Sequence, residues 1–355
     1  MTTEAQELTA EEIARRWSEL LESEPRTRTR DAAAKIGVSE AQLVAVKCGA
    51  GARRLEADWG AFLARLEPLG EVMALTRNNS IVSEKIGRYR NVEMFGHVGQ
   101  VLDTGIDLRV FPGRWRHAFA VAEESRGGVR RSLQFFDASG GAIHKVFLTE
   151  NSDSAAYDAL VAAHLSDNQS PMQPVEPPHA PEPERPDQKI DVEGFRAAWR
   201  ALEDTHDFIR LLRQFGVSRT QALRLAEPGM TQPLPCDAFR RLLELAAQDG
   251  LPIMVFVGNP GCIQIHSGPV HNIKIFGDWL NVLDDGFNLH INEPSIASAW
   301  ISRKPTRNGV VTGVEFYDAH GEQIATLFGK RAAGEGENER WRSILNALTP
   351  EGVPA

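Results

Sequence analysis

Residues 133–150 (LQFFDASGGAIHKVFLTE) are matched at 314–331 (VEFYDAHGEQIATLFGKR), an offset of 181 residues, and this duplication constrains the fold more than any other feature. At that offset Phe135 pairs with Phe316, Asp137 with Asp318, Gly140 with Gly321 and Ile143 with Ile324. Upstream, VEMFGHVGQVLDTGIDLRVF (92–111) matches IKIFGDWLNVLDDGFNLHIN (273–292) at the same offset, and Phe95, Gly96, Leu102, Asp103, Gly105 and Leu108 all recur. Two matched segments without a net gap mean a tandem repeat of one scaffold. Whatever one copy carries and the other lacks becomes a functional candidate.

A chain of 355 residues, 42% hydrophobic, has enough apolar content for two domains with their own cores. The repeat period is too long for a solenoid. A net charge of −9 argues against sequence-blind nucleic-acid binding, which depends on broad phosphate neutralisation. Cys48, Cys236 and Cys262 are odd in number and widely spaced, so neither a disulfide framework nor a CxxC metal site is expected. That usage fits a reducing compartment. The acidic start MTTEAQELTAEE is unlike a signal peptide, and no apolar run approaches the roughly 20 residues that span a bilayer. A cytoplasmic protein without membrane insertion is expected.

Residues 166–188 hold seven of the 20 prolines and almost no apolar residues. They are expected to form an extended linker between an N-terminal repeat, 1–165, and a C-terminal repeat, 189–355. Each repeat opens with helical periodicity: Ile13, Trp17, Leu20 and Leu21 in the first, Phe195, Trp199 and Leu202 in the second. RDAAAKIGVSEAQLVA (30–45) and RLLRQFGVSRTQALRLA (210–226) each predict a helix, a Gly-Val-Ser turn and a second helix, with Gly as C-cap and Ser as N-cap. Strands follow. Ile106, Leu108 and Val110 alternate with Asp107, Arg109 and Phe111, and the Asp137–Gly140 and Asp318–Gly321 segments predict hairpin turns. The expected class is α+β, with two antiparallel sheets packed together and helices at the periphery.

The copies differ in three notable ways. His206, in LEDTHDFIRLL, has no histidine opposite it in LESEPRTRT. Asp204 or Thr205 is expected to cap its helix. Counting about 100° per residue, His206 lies about 160° from Phe208 and so points away from the stripe Phe208, Leu211, Leu212 and Phe215. Arg109 stands where the second copy has His290. Lys304 and Arg331 stand where the first copy has Glu123 and Glu150, a reversal of charge at both places. A neutral imidazole with cations nearby suits a metal-bearing ligand with acidic groups.

With the duplication, the proline-rich linker, the GVS helix pairs, the IDLRVF strand and the DTHDF segment taken together, the chain resembles the HemS-type cytoplasmic haem-utilisation proteins, or hemin-degrading factors, over nearly its whole length. That resemblance implies stacked β-sheets flanked by helices, with haem b held in a cleft between the repeats. It implies His206 as the axial iron ligand and Arg109 over the opposite, distal face, where it would act if the protein is an enzyme. Phe111 and Phe256 match apolar residues near the macrocycle, and Lys304 and Arg331 match cations on the propionate side. Some relatives carry further histidines just after the ligand position; Asp207 and Ile209 stand there in this chain, a departure from that pattern.

These roles make chemical sense. Neutral imidazole donates a lone pair to iron, and its second nitrogen is normally held by a carbonyl or carboxylate. Arginine keeps its charge in a partly apolar site and offers a fork of donors. Buried propionates need cationic partners. The resemblance leaves two functions open: a haem carrier for trafficking and iron acquisition, and an oxygenase-type enzyme that opens the porphyrin ring. The partners implied are haem, a haem-uptake transporter upstream, and a haem oxygenase or electron donor downstream. A remote alternative is DNA binding through the GVS helix pairs, which resemble a helix-turn-helix; the apolar second helix EAQLVAVKCG favours packing instead. His266, His271 and His290 supply three nitrogens for a zinc site but no acidic or thiolate ligand at suitable spacing.

Overall fold

The computed structural model describes residues 8–125, 127–180, 183–331 and 335–349. The first repeat forms α1 (Ala10–Ser23), α2 (Thr29–Ile36), α3 (Glu40–Ala45), α4 (Trp59–Ala64) and α5 (Ser154–Ala163). Its strands are β1 (Ala52–Leu55), β2 (Gly70–Arg77), β3 (Ile81–Gly87), β4 (Val92–Phe95), β5 (Val98–Leu102), β6 (Asp107–Val110), β7 (His117–Ser125), β8 (Gly128–Phe136) and β9 (Ala142–Ser152). The second repeat forms α6 (Val192–Arg200), α7 (Asp207–Phe215), α8 (Arg219–Leu225), α9 (Ala238–Asp249) and α10 (Glu339–Leu348). Its strands are β10 (Thr231–Leu234), β11 (Ile253–Asn259), β12 (Cys262–Gly268), β13 (Ile273–Phe276), β14 (Trp279–Asp284), β15 (Phe287–Asn292), β16 (Ser298–Thr306), β17 (Gly309–Tyr317) and β18 (Gln323–Gly329).

The punctuation works as its chemistry predicts. Helix α2 stops at Gly37 (φ 83°) and α7 at Gly216 (φ 63°), both left-handed caps. Ser39 then caps α3 by accepting the Gln42 N–H, and Ser218 caps α8 by accepting the Gln221 N–H. Asp137 Oδ1 accepts the Ser139 and Gly141 N–H groups, and Asp318 Oδ1 those of His320 and Glu322, closing equivalent hairpin turns. The expected mixed architecture of antiparallel sheets and helices is present.

The two compact units, however, are not the two halves of the chain. Unit 1 comprises residues up to Arg77, Lys85–Ala180 and also Asn259–Ile263; unit 2 comprises Asn78–Glu84, Pro181–Gly258 and Gln264 onward. Each repeat thus lends one turn to the other unit. In unit 1 the strands run β1-β7-β8-β9-β2, and β4-β5-β6 are extended by the first residues of β12. Its core includes Phe62, Leu108, Trp115, Phe135, Val146 and the borrowed Cys262. In unit 2 the order is β10-β16-β17-β18-β11, and β13-β14-β15 are extended by the Ile81–Glu84 part of β3. Its core includes Phe239, Leu242, Val255, Ile301, Val314, Trp341 and the borrowed Ile81.

Asparagine fixes each borrowed turn. Asn78 donates to the Ile324 carbonyl at 2.8 Å and accepts the Ser80 and Ile81 N–H groups. Asn259, 181 positions on, donates to the Ile143 carbonyl at 2.8 Å and accepts the Gly261 and Cys262 N–H groups. One amide side chain ties a turn to a strand end by both its donor and its acceptor.

One expectation changes. The first part of the proline-rich segment is not a free linker, because Arg54 of β1 collects its carbonyls: Asn168 at 3.0 Å, Ser170 at 2.8 Å and Met172 at 3.0 Å, with the Gln173 side chain. A buried guanidinium needs several acceptors, and this segment supplies them. The GVS helix pairs pack, as their apolar residues predict. Helix α3 buries Ala41, Leu43, Val44 and Ala45, and α8 buries Gln221, Ala222 and Leu223. Among the described residues no helix is long and apolar enough to cross a membrane.

Candidate functional site

Strands β16, β17, β18 and β11 of unit 2 have two unlike faces. Ile301, Val314, Leu327 and Val255 point into the core. The opposite face carries the cross-strand rows Trp300–Glu315–Thr326–Phe256 and Ser302–Gly313–Phe328–Met254. Period-two alternation produces this division without further instruction. Phe256 and Phe328 meet edge to face with centroids 5.4 Å apart, both half-buried. Glycine at 313 makes room for them, since a Cβ there would meet the Phe328 ring at 2.6 Å.

Beside this aromatic pair lies a buried charge network. Lys304, with only 8% of its side chain exposed, donates to Glu315 at 2.5 Å and to Ser302 Oγ at 3.0 Å. Ser302 and Tyr317 hydroxyls donate to the two Glu315 oxygens, each at 2.5 Å, and the Arg219 guanidinium stands 3.8 Å away. Burial alone would raise the Glu315 carboxyl, but Lys304 and Arg219 beside it bring it down to about 2. Lys304 is therefore not the open cation expected on the propionate side. Its ammonium is committed to Glu315 and sits over the Phe208 ring at 4.6 Å. Only its remaining N–H is available to an acidic ligand. Glu315, Arg219 and Phe328 are the residues that sequence reasoning missed. A glutamate inside the apolar run VVTGVEFY was the available signal, because such a residue is buried only with partners.

Phe208 leads to His206. Helix α7 starts at Asp207, with His206 itself as N-cap, so neither Asp204 nor Thr205 is the cap. Asp204 instead accepts both the His206 backbone N–H at 2.8 Å and a hydrogen bond from its Nδ1 at 2.7 Å. Those two bonds from His206, backbone first, hold the Asp204 carboxyl below its usual range. The imidazole is 92% exposed, and among the described residues its Nε2 makes no hydrogen bond. A ring fixed at Nδ1 by a carboxylate, with Nε2 open, is the usual setting of a metal-ligating histidine.

Arg331 lies just beyond β18, its guanidinium reaching the Glu335 carbonyl at 3.5 Å. Arg109 and Phe111 fall in unit 1. Arg109 stands on β6 between the buried Leu108 and Val110, on the opposite face, with 34% of its side chain exposed. It donates to Asp107 at 2.5 Å and to the Leu108 carbonyl at 3.0 Å, both through one terminal nitrogen. Phe111 is half-buried at the end of the strand. The zinc alternative finds no support among the described residues. His266 is stacked on Phe287 at 3.7 Å, His290 Nδ1 is bonded to Asn281 at 2.6 Å, and no group of metal-holding side chains is assembled.

Comparison with known proteins bears on what this geometry is for. The model of the haemin-degrading HemS/ChuX domain matches residues 37–164 and again 216–348, one match per repeat. The hemin transport protein HmuS of Yersinia pestis is 40% identical over 334 residues, covering 93% of this chain and 95% of that protein. The crystal structure of holo-PhuS, a heme-binding protein from Pseudomonas aeruginosa, is 46% identical with a TM-score of 0.93, covering 96% of this chain and 99% of that one. The heme degrading enzyme ChuS of Escherichia coli O157:H7 is 36% identical with a TM-score of 0.89, covering 96% and 100%.

Proposed function

The chain belongs to the haemin-degrading HemS/ChuX family, and from that premise we propose that it binds haem b for haem utilisation, with His206 as the axial ligand to iron. The observation that carries the reading is the exposed imidazole whose Nδ1 is held by Asp204 while Nε2 is open. Arg109 supplies outward donors for the distal face. Phe111 and Phe256 offer ring contact, and Arg331 pairs with a propionate. Lys304 serves that side through its remaining N–H and keeps Glu315 as its partner. Haem supplies the redox-active iron; these residues bind, orient and shield it.

Carriage towards a separate degrading step is the favoured role. Degradation by the protein itself is the second reading, supported by its likeness to ChuS and by the spare donors of Arg109. Passage of haem from an uptake transporter, and on to an oxygenase, belongs to the first reading.

The test has two stages. Ferric haem is titrated into wild type and His206→Ala while the Soret band is followed. Loss of affinity by about tenfold or more, with a shifted band, is expected; identical spectra and affinity would remove the axial assignment. Reductant and oxygen are then supplied with catalase present. A defined tetrapyrrole with released iron supports degradation, whereas bleaching that catalase abolishes marks peroxide damage to carried haem.

A further inference from the structure

The strand that carries Arg109 ends against a residue about 150 positions away in the sequence. Strand β6 is short, Asp107–Val110, and a slip of one residue would turn Arg109 into the core and Leu108 out of it. Beyond its ladder with β5, in which Arg109 faces Gln100, the continuation of the strand is tied to Gly261, in the turn that the second repeat lends to unit 1. The Gly261 carbonyl accepts the Phe111 N–H at 3.0 Å and the Trp115 indole N–H at 2.9 Å. Both of its lone pairs are thereby taken.

The turn has little freedom to move. Asn259 holds the Gly261 and Cys262 N–H groups at 3.0 Å each and is itself bonded to the Ile143 and Arg77 carbonyls. A Cβ on Gly261 would meet the Ile143 side chain at 2.7 Å, so only glycine brings its carbonyl this close. Trp115, almost wholly buried, is packed on Phe135 at 4.6 Å and cannot follow a displaced acceptor.

We infer that Gly261, with Trp115, is a positioning residue for Arg109 and Phe111, so that the second repeat sets the distal chemistry of a site whose distal arginine comes from the first. The inference rests on the haem reading above and deepens it. Gly261 touches neither ligand nor iron in this scheme; it acts through the β6 backbone.

Azide binding to the ferric haem complex of the full chain tests this, because a distal donor stabilises a bound anion while the axial side is read separately by the Soret position. Trp115→Phe removes one donor to Gly261 and keeps an aromatic ring in the core; Gly261→Ala displaces the carbonyl itself. Both are expected to keep the wild-type Soret band of the azide-free complex. Both should weaken azide at least about threefold, as loss of one hydrogen bond implies. Neither should weaken it further when Arg109→Ala is already present. If Arg109→Ala weakens azide but folded Trp115→Phe binds it as wild type does, the positioning role is overturned while the haem reading stands. If Arg109→Ala itself has no effect, the distal assignment falls with it. Should Gly261→Ala fail to fold, Trp115→Phe decides alone.

Discussion

Four core positions show how differently one scaffold is filled in the two units. Unit 2 places Ile81, Val257, Val270 and Ala325 there, all in its apolar core. At the offset of 181, unit 1 places Cys262, Thr76, Tyr89 and His144. The His144 ring is bonded to the Tyr89 hydroxyl at 2.5 Å and to Thr76 Oγ1 at 2.8 Å, with Cys262 Sγ 3.5 Å from Thr76. Burial drives His144 down to about 3 and the Cys262 thiol up to about 12, so the cluster is neutral. The opposite sheet faces differ too. The unit 2 row Trp300–Glu315–Thr326–Phe256 corresponds to Phe119–Gln134–Lys145–Leu75 in unit 1. Lys145 there is ion-paired with Glu40, whereas in unit 2 the carboxylate is Glu315 and its cations are Lys304 and Arg219. Unit 1 thus has its polar cluster in the core and pairs the charges of its other face in separate contacts, Lys145 with Glu40 and Glu123 with Lys47 and Arg130. Unit 2 fills those core positions with apolar side chains and puts its charge next to aromatic rings and the helix of His206. A duplicated fold keeps its backbone while its polar groups change faces.

The largest expected effect breaks the unit 2 network. Glu315→Ala leaves Lys304 buried without its anion and should cost about 3–5 kcal/mol in denaturant unfolding. The matching Gln134→Ala should cost only about 1 kcal/mol, and equal losses would show that the two faces are energetically alike.

Acid separates the cores next. His144 is held neutral in the folded state, while its unfolded value is 6.5, so the unfolded chain takes the extra proton as pH falls. Unit 1 should lose up to about 1.4 kcal/mol per pH unit below that value, levelling off near its folded value of about 3. Glu315 loses its contribution in the same direction but over a lower window: it is full above 4.5 and is lost as pH falls through about 2. Hydrogen exchange at pH 5 should therefore speed up in β2 and β9 before β11 and β18. Simultaneous loss would contradict the assignment.

Arg54 has Pro233 as its counterpart, by strand register against Phe119 and Trp300. Arg54→Ala should cost about 2 kcal/mol and open residues 168–173 to protease, since several carbonyls lose one shared donor. The smallest effect concerns His206. Asp204→Asn leaves the backbone N–H acceptor in place but weakens the hold on Nδ1, and haem affinity should fall about tenfold. An unchanged affinity would mean the dyad does not orient the ring.

What could be seen in the sequence was local or repeated. The Gly37 and Gly216 caps, the Asp137 and Asp318 turns and the outward His206 follow from spacing and from residues whose preferences act within a few positions. The burial of Lys304 did not, because its partner is eleven residues on and meets it only when β16 and β17 pair. Arg54 presented the same difficulty, since its acceptors are backbone carbonyls that carry no residue signature. The exchanged turns were hidden for another reason. Asn78 and Asn259 align perfectly well as equivalent residues whether each turn stays home or crosses over, so the repeat itself is silent on the choice.

That crossing has a consequence for the order of events on the ribosome. Cys262 closes the unit 1 core and Gly261 lies beyond the end of its β6 ladder, yet both are translated about 80 residues after Ala180, the last residue of that unit's preceding segment. The first repeat can form helices and hairpins as it emerges, but its unit stays unsealed until most of the second repeat's early strands exist. For this chain, the earlier-made half waits for the later one to finish it.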